Sequence, residues 1–435
     1  MIEEVLEKAS KSVEQAEVFY LEAESTPVGF ENNRLKHLQS RQTKGLALRV
    51  VKDGRIGFAS TTDLRNPESL VDASLETLPF GPESHLELPN RSAYTSVEVY
   101  DPAVEAVPLE RMIDLGQTMI DRVRASNPDL VCQAGLSKDT MQIRIINSKG
   151  VDASFRKSIY SMGLEGLLVR GTDMLFVGDG ETSCRPVMDV GFIIERTLWQ
   201  LEHATETASI STGEYPVIFT PDGVGGALLS PILVALNGKT VLQGASPLGN
   251  RLGQQVFDSQ ISLTDDATRA YRPGSSPCDE EGVPTRPLEL VTAGVVRHFL
   301  YDLQTAGMAG TETTGSGRRS LETPPSPSTS TLTLAGGKIS FQEMIADIRE
   351  GLVIEYLMGA GQGNVLAGEF SGNVLLGYKV ESGKLVGRVK DTMVSGNVYE
   401  SLKTGIALGN DGRWIGGSLW TPSVYIPKLS VSTKR

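Results

Sequence analysis

Residues 46–61, LALRVVKDGRIGFAST, place apolar side chains alternately on either side of Asp53-Gly54. A period of two sends successive side chains to opposite faces of a strand, and Asp-Gly accepts the positive φ that a two-residue hairpin turn demands. This commits the first part of the chain to antiparallel sheet. The stretch MQIRIINSKGVDASFRKSIYSMGLEGLLV reads as a second hairpin turning at Lys149-Gly150 and followed by a further strand. Between them, Leu109, Met112, Ile113, Met119, Ile120 and Val123 recur at helical spacing, with Pro108 suited to a first turn and Pro128 beyond the end. This predicts an amphipathic helix lying on the sheet. Ile2, Val5, Leu6, Ala9 and Val13 mark a helical face at the amino terminus, and Phe192, Ile193, Ile194, Leu198 and Trp199 mark another helix.

The length of 435 residues suits two domains. The small, polar stretch ASISTGEYP near 208–216 separates an N-terminal α+β domain, 1–210, from a glycine-richer C-terminal domain, 211–435. The second domain is expected to be mainly β, with a curved or barrel-like sheet. ELVTAGVVRHFLYDL and LLGYKVESGKLVGRVKD supply hairpins turning at Ala293-Gly294 and Ser382-Gly383. One helix is well signalled there: Ser340 and Glu343 form a capping box, Phe341, Met344, Ile345 and Ile348 its buried stripe, and Gly351 a left-handed exit. By contrast, TETTGSGRRSLETPPSPSTST, 311–331, has few apolar residues to bury and reads as a long mobile loop. It is either a solvated connection or a substrate flap carrying Arg318 and Arg319.

Composition narrows the function. A net charge of −12 argues against a general nucleic-acid surface. Cys132, Cys184 and Cys278 are odd in number and far apart, which indicates reduced thiols rather than a disulfide framework. Glu3, Glu4 and Glu7 contradict the cationic start of a secretory signal. The longest apolar stretch, Ala227 to Leu236, is shorter than the ~20 residues that span a bilayer, and Pro231 interrupts it. A cytoplasmic protein without membrane or nucleic-acid partners is expected.

Common catalytic signatures are weak. Asn237-Gly238-Lys239-Thr240 imitates the end of a phosphate loop, but Leu233 stands where its first glycine belongs. Gly359, Gly361 and Gly363 in MGAGQGN alternate rather than following GxGxxG, and no GxSxG elbow occurs. The histidines, at 37, 85, 203 and 298, are too scattered for two to share a helix face. A hydrolytic zinc commonly needs three protein ligands and an open fourth position. The densest acidic group of the second domain is Asp279-Glu280-Glu281. In an extended segment Asp279 and Glu281 would share a face and could bind a cation or exchange protons. The alternative is a polar turn leading into a strand at 288.

The stretches FTPDGVGGALLSPI, DEEGVPT, GSGRRS, SFQEMIADIREGLVI, LMGAGQGNVLAGEFSGNVLLGYKVESGKLVG and SGNVYESLKTGIALGNDGRW, in this order and spacing, resemble the TldD/PmbA family. The likeness is to its PmbA branch, also called TldE. In the metal-bearing TldD branch, a helix opening the second domain carries His-Glu-x-x-x-His, and a late Cys-Gly completes the zinc site. The corresponding stretch here, Asp222 to Leu229, has neither histidine nor glutamate, and Gly416-Gly417 replaces the Cys-Gly. The resemblance therefore implies a subunit with no catalytic or metal residues and no cofactor of its own. Zinc is expected in a TldD-like partner of a peptidase acting on unfolded or short peptides. The family is also associated with maturation of peptide antibiotics and modulation of DNA gyrase. A glycine-rich run containing Gly359, Gly361, Gly363, Gly368 and Gly372 would let a peptide backbone approach closely, or would simply form turns. Two alternatives stay open. One is a stand-alone metallopeptidase built from distant residues such as Asp279, Glu281 and His298. The other is a non-catalytic, homodimeric peptide-binding module.

Overall fold

A computed structural model describes residues 1–434. Helix α1 (Ile2–Ser10) leads into β1 (Gln15–Glu31), β2 (Arg34–Leu38), β3 (Arg41–Lys52) and β4 (Arg55–Thr61). Helices α2 (Ser69–Thr77) and α3 (Leu109–Ser126) follow, then β5 (Val131–Asn147), β6 (Asp152–Arg170), β7 (Asp173–Ser183) and helix α4 (Gly191–His203). The strands form one sheet in the order β4-β3-β1-β5-β6-β7, with β2 paired to β1. Lys52 pairs with Arg55 across the first hairpin, and Asp53 and Gly54 take φ of 50° and 70°. The Asp-Gly turn thus has the handedness that matches strand twist.

The period-two pattern separates the two faces of this sheet. On one face, Val18, Leu48 and Val50 pack with Val5 and Ala9 of α1 and with Leu70 and Val71 of α2. Farther along the same face, Val28 and Phe30 meet Met112, Leu115, Met119 and Ile120 of α3. The opposite face of β1 turns Phe19 towards Cys278 and Leu321 of the second half.

The second half contains β8 (Gly213–Phe219), helix α5 (Pro221–Val224, continued by a π-helical turn at Gly225–Leu229 and by Ser230–Leu236), and α6 (Phe341–Ala346). It continues with β9 (Glu350–Met358), β10 (Glu369–Glu381), β11 (Lys384–Val389), β12 (Thr392–Asn397) and β13 (Val424–Thr433). Strands β8, β13, β12, β10 and β9 close into a ring through an added β9–β10 pairing, which gives a five-stranded barrel. Only β8 and β9 run parallel within it. Closure removes free strand edges.

Both barrel faces are buried. Val217, Phe219, Leu352, Ile354, Val394 and Ile426 share a core with Leu228, Leu229, Ile232 and Leu236 of α5. The alternate residues, Ile218, Val353, Leu376 and Tyr378, join the core of α3 and α4. This two-sided burial is why Leu352, Val353 and Ile354 form a continuous apolar run. The turns at Ala293-Gly294 and Ser382-Gly383 adopt positive φ as the hairpins require. Ser340 and Glu343 make the capping box. Gly351 does not end that helix: α6 stops at Ala346, with Asp347 still right-handed at its cap, and Gly351 is already inside β9. Among the described residues, no helix is long and apolar enough to cross a membrane.

The segment 311–331, expected to be a long mobile loop, is packed instead. The side chain of Arg319 is fully buried; its Nη1 donates to Glu17 Oε1 at 2.8 Å, and its guanidinium lies 4.7 Å from the Phe19 ring centre. Arg49 donates to Glu17 Oε2 at 2.8 Å and to Glu281 Oε1 at 2.6 Å, joining β1 and β3 to the second half. Arg318 pairs with Glu280 at 3.1 Å, while Gly317-Arg318 forms a short ladder with Ser326-Pro327. The segment's low apolar content hid its order, because charge pairing across the halves and burial of Leu321 supply the anchor.

Of the two readings of the acidic residues, the structure shows the polar turn and not the extended pair. Asp279 Oδ1 accepts from the amides of Glu281 and Val283 at 3.0 and 2.9 Å, and Gly282 takes φ 76°, so they lie in a tight turn before the strand at Pro287–Thr292. Asp279 Oδ2 accepts from the Gly317 amide at 3.0 Å, and Glu281 Oε2 from the Leu303 amide at 2.8 Å. Both side chains are fully buried. Burial pushes the Asp279 carboxyl up to about 7 and that of Glu281 up to about 8, although the amides and Arg49 oppose the rise.

Replacing Arg319 by Met leaves Glu17 Oε1 buried without its cation, and denaturant unfolding should show a loss of about 3–5 kcal/mol. A loss below about 1 kcal/mol would contradict a clamp at this position. The acidic turn sets a pH signature. Its folded-state pKa values exceed those of the unfolded chain, so its contribution is fully present below the ordinary carboxylate range and is lost as pH rises through 7 to 8. Stability should therefore fall between pH 5 and pH 8, by at most about 1.4 kcal/mol per pH unit for each group, and the melting temperature should fall with it. A melting temperature that rises across this interval would refute the assignment.

Candidate functional site

Helix α5 begins directly after β8. Thr220 donates its amide to the Ile354 carbonyl at 3.0 Å, Pro221 occupies the first turn, and Asp222 follows in the favourable field of the helix start. Gly223 is required by close approach: a Cβ there would stand 2.7 Å from the Ile354 carbonyl oxygen. The neighbouring strand β9 is bulged, since Ile354 pairs with Gly377 and Tyr356 with Leu376, leaving Glu355 as the extra residue. The bulge turns Glu355 towards Arg196 of α4, whose Nη2 donates to Glu355 Oε2 at 2.5 Å.

Arg413, on the short strand Arg413–Ile415, completes the arrangement. Its Nη1 and Nη2 donate to Asp179 Oδ1 and Oδ2 of β7 at 3.1 and 2.8 Å, and Nη2 also donates to Asp222. Three carboxylates, Asp179, Asp222 and Glu355, are thus held by two guanidiniums drawn from different elements. Burial raises the Asp179 carboxyl above its ordinary range against the opposing pull of Arg413, and it raises Glu355 against that of Arg196. For Arg413, burial alone would lower the pKa, but Asp222 and Asp179 outweigh it and the guanidinium stays charged. Glu355 Oε1 and the Tyr378 hydroxyl are buried without hydrogen-bond partners.

Aromatic side chains border the cluster. Arg413 lies 5.3 Å from the ring centre of the half-exposed Phe192, Arg272 stacks 4.1 Å over Trp414, and Trp414 meets Trp420 edge-on at 5.5 Å. The Gly416-Gly417 turn joins the strands that carry these tryptophans. Gly417 takes φ 73° and presses on β7, where a Cβ would meet the Thr182 carbonyl oxygen at 2.4 Å. The site therefore lies where the last strand of the N-terminal sheet meets the start of α5.

The donor set does not suit zinc. Between Asp222 and Leu229 the only side chain with an oxygen, nitrogen or sulfur is Asp222, and Arg413 holds it. His203 stacks on Trp199 at 4.2 Å with Nδ1 at 2.9 Å from the Trp199 carbonyl, and His298 is exposed with Nδ1 at 2.7 Å from that of Glu289. His37 pairs with Glu31 at the surface. Cys132, Cys184 and Cys278 are buried apart, and burial lifts each thiol pKa, to about 11 for the first two, which disfavours thiolate. Among the described residues, no three His, Cys, Asp or Glu side chains are grouped to hold a metal ion.

The glycine run is not a single groove. Gly361 and Gly363 are exposed on the connection between β9 and β10, and Gly359 turns into it at φ 81°. Gly368 and Gly372 instead accommodate packing: a Cβ on Gly368 would meet the Tyr399 ring at 2.4 Å, and one on Gly372 would meet the Met358 carbonyl oxygen at 3.0 Å. Arg318, Arg319, Asp279 and Glu281 pair elsewhere, with Glu280, Glu17, backbone amides and Arg49, and not with the Asp179–Arg413 cluster. Sequence reasoning missed all five members of that cluster. Asp222 offered the only hint, because it opens the helix that follows β8.

Comparison with known proteins gives one family. Residues 16–77 match the PmbA/TldA metallopeptidase domain 1, residues 102–197 its central domain, and residues 212–433 its C-terminal domain. A metalloprotease of Methanothermobacter thermautotrophicus is 25% identical over 92% of this chain and 89% of its own. The metalloprotease PmbA homolog of Haemophilus influenzae is 23% identical over 98% of this chain and 94% of its own. The crystal structure of TldE from Thermococcus kodakarensis superimposes with a TM-score of 0.89 at 21% identity, covering 99% of both chains, and so shares the fold. The chain belongs to the PmbA/TldD metallopeptidase family.

Proposed function

We propose that this chain is a PmbA/TldE-type subunit of a TldD/PmbA peptidase assembly, without a zinc site of its own. One observation carries the reading. At the helix start that aligns with the zinc motif, a guanidinium lies among Asp179 and Asp222, with a second between Asp179 and Glu355. Fixed positive charges there repel a divalent cation and occupy the carboxylates that would attract one. The partner is a TldD-like subunit with the His-Glu-x-x-x-His helix, or a second copy of this chain in a precursor assembly. The substrates are unfolded or short peptides, whose free backbone can extend beside strands. Three separate buried thiols fit a cytoplasmic assembly.

In this arrangement the chain contributes walls rather than chemistry. Its half-exposed Phe192 and paired tryptophans beside Arg413 can hold apolar peptide side chains while the partner's metal performs hydrolysis. The stand-alone metallopeptidase reading gains no support from Asp279, Glu281 and His298, because the first two are spent on amides and Arg49 while the third is exposed.

Purified alone and incubated with zinc, the chain should leave an unfolded casein peptide intact and retain no stoichiometric metal after dialysis. Mixed with a zinc-bearing TldD relative, it should co-elute with that protein in gel filtration and raise peptide cleavage at least about tenfold over the relative alone. Cleavage by the isolated chain with one tightly held zinc per molecule would overturn the proposal.

A further inference from the structure

A cleft of about 480 Å³ opens between the ends of α3 and α4, the β6–β7 turn and strand β11. That volume lies in the range of cavities that hold small ligands. The cleft shares no lining residue with the Asp179–Arg413 cluster. Leu168, Leu175, Leu198 and Leu201 give it one apolar wall continuous with the core of α3 and α4, while Ser126, Asn127, Thr205 and Thr207 make the rest polar.

Its charges are arranged unusually. Arg388 is buried; its Nη2 donates to both carboxylate oxygens of Asp173 at 2.6 Å and its Nη1 to the Met174 carbonyl at 3.2 Å, while Nε has no partner. Lys390 shares Asp173 at 3.1 Å, so this carboxylate is divided between two cations. On the rim, Arg170 and Glu202 are exposed, and neither makes an ion pair or a side-chain hydrogen bond with the described residues. Two opposite charges on one cleft are therefore left apart instead of neutralising each other. A ligand that carries both charges, separated by an apolar body, satisfies them together.

We propose that this cleft binds a zwitterionic di- or tripeptide with apolar side chains. Arg170, supported by the positive field of Arg388, takes the α-carboxylate; Glu202 takes the α-ammonium; and the leucines take the side chains. The cleft is a binding site for free short peptides, set apart from the cluster at the start of α5. It does not depend on the subunit reading, because its test uses this chain alone and reads binding rather than cleavage.

Isothermal titration of the full chain with Leu-Leu should give saturable binding in the millimolar range or below. N-acetyl-Leu-Leu-amide, which lacks both end charges, should bind at least about tenfold more weakly. Arg170→Glu and Glu202→Lys alter exposed side chains and should each weaken Leu-Leu by about tenfold or more, with unchanged melting temperature. Leu198→Trp should fill the cleft and abolish binding. Equal affinity for the capped peptide, unchanged affinity in both charge variants, or no saturable binding in the millimolar range would overturn the proposal.

Discussion

A guanidinium can leave water only where carboxylates meet it, and in this chain the two halves supply the partners to one another. Glu17 and Arg49 come from the N-terminal sheet, Glu281 and Arg319 from the second half. At a second place, Asp179 of the N-terminal sheet receives Arg413 from near the carboxyl terminus. Removing one member of such a buried set strands a charge, which costs far more than the set contributes over an apolar replacement. The pairs therefore fix how the halves meet more than they add stability. Around them, the outward face of the barrel and the helices of the first sheet form one shared apolar core.

That shared core explains the position of the candidate site. Strand β9 is buried on both faces and can bring a charged side chain to the junction only through its bulge, which places Glu355 beside Arg196. Helix α5 starts at the same junction and contributes Asp222, while the Trp414–Trp420 hairpin contributes Arg413. Three carboxylates are held there by two guanidiniums, and the site is organised around fixed charge.

Much of the fold was legible in the residues. The Asp53-Gly54, Ala293-Gly294 and Ser382-Gly383 turns and the stripe Met112-Met119-Ile120-Val123 follow from local periodicity and from which residues tolerate positive φ. The Ser340–Glu343 box was equally clear, although Gly351 was assigned the wrong role because the chain turns into a strand before reaching it. The 311–331 segment was misread for a physical reason: Arg318 and Arg319 are anchored by partners up to 302 residues away in sequence. For Asp279 and Glu281 the residues left an extended pair and a polar turn both open, and the turn closed by Gly282 is what forms, because backbone amides satisfy Asp279 there.

By itself, the sequence determined the antiparallel hairpins, the amphipathic helices and the family resemblance, since each depends on short-range patterning or on the order of recognisable stretches. It also left the stretch from Asp222 to Leu229 without histidine or glutamate. Only the tertiary structure decided that the barrel closes, that Arg319 meets Glu17, and that Asp179, Arg196, Asp222, Glu355 and Arg413 converge. Pairing of a charge with a partner more than a hundred residues away leaves no periodic trace, because it is selected by the packing of whole elements.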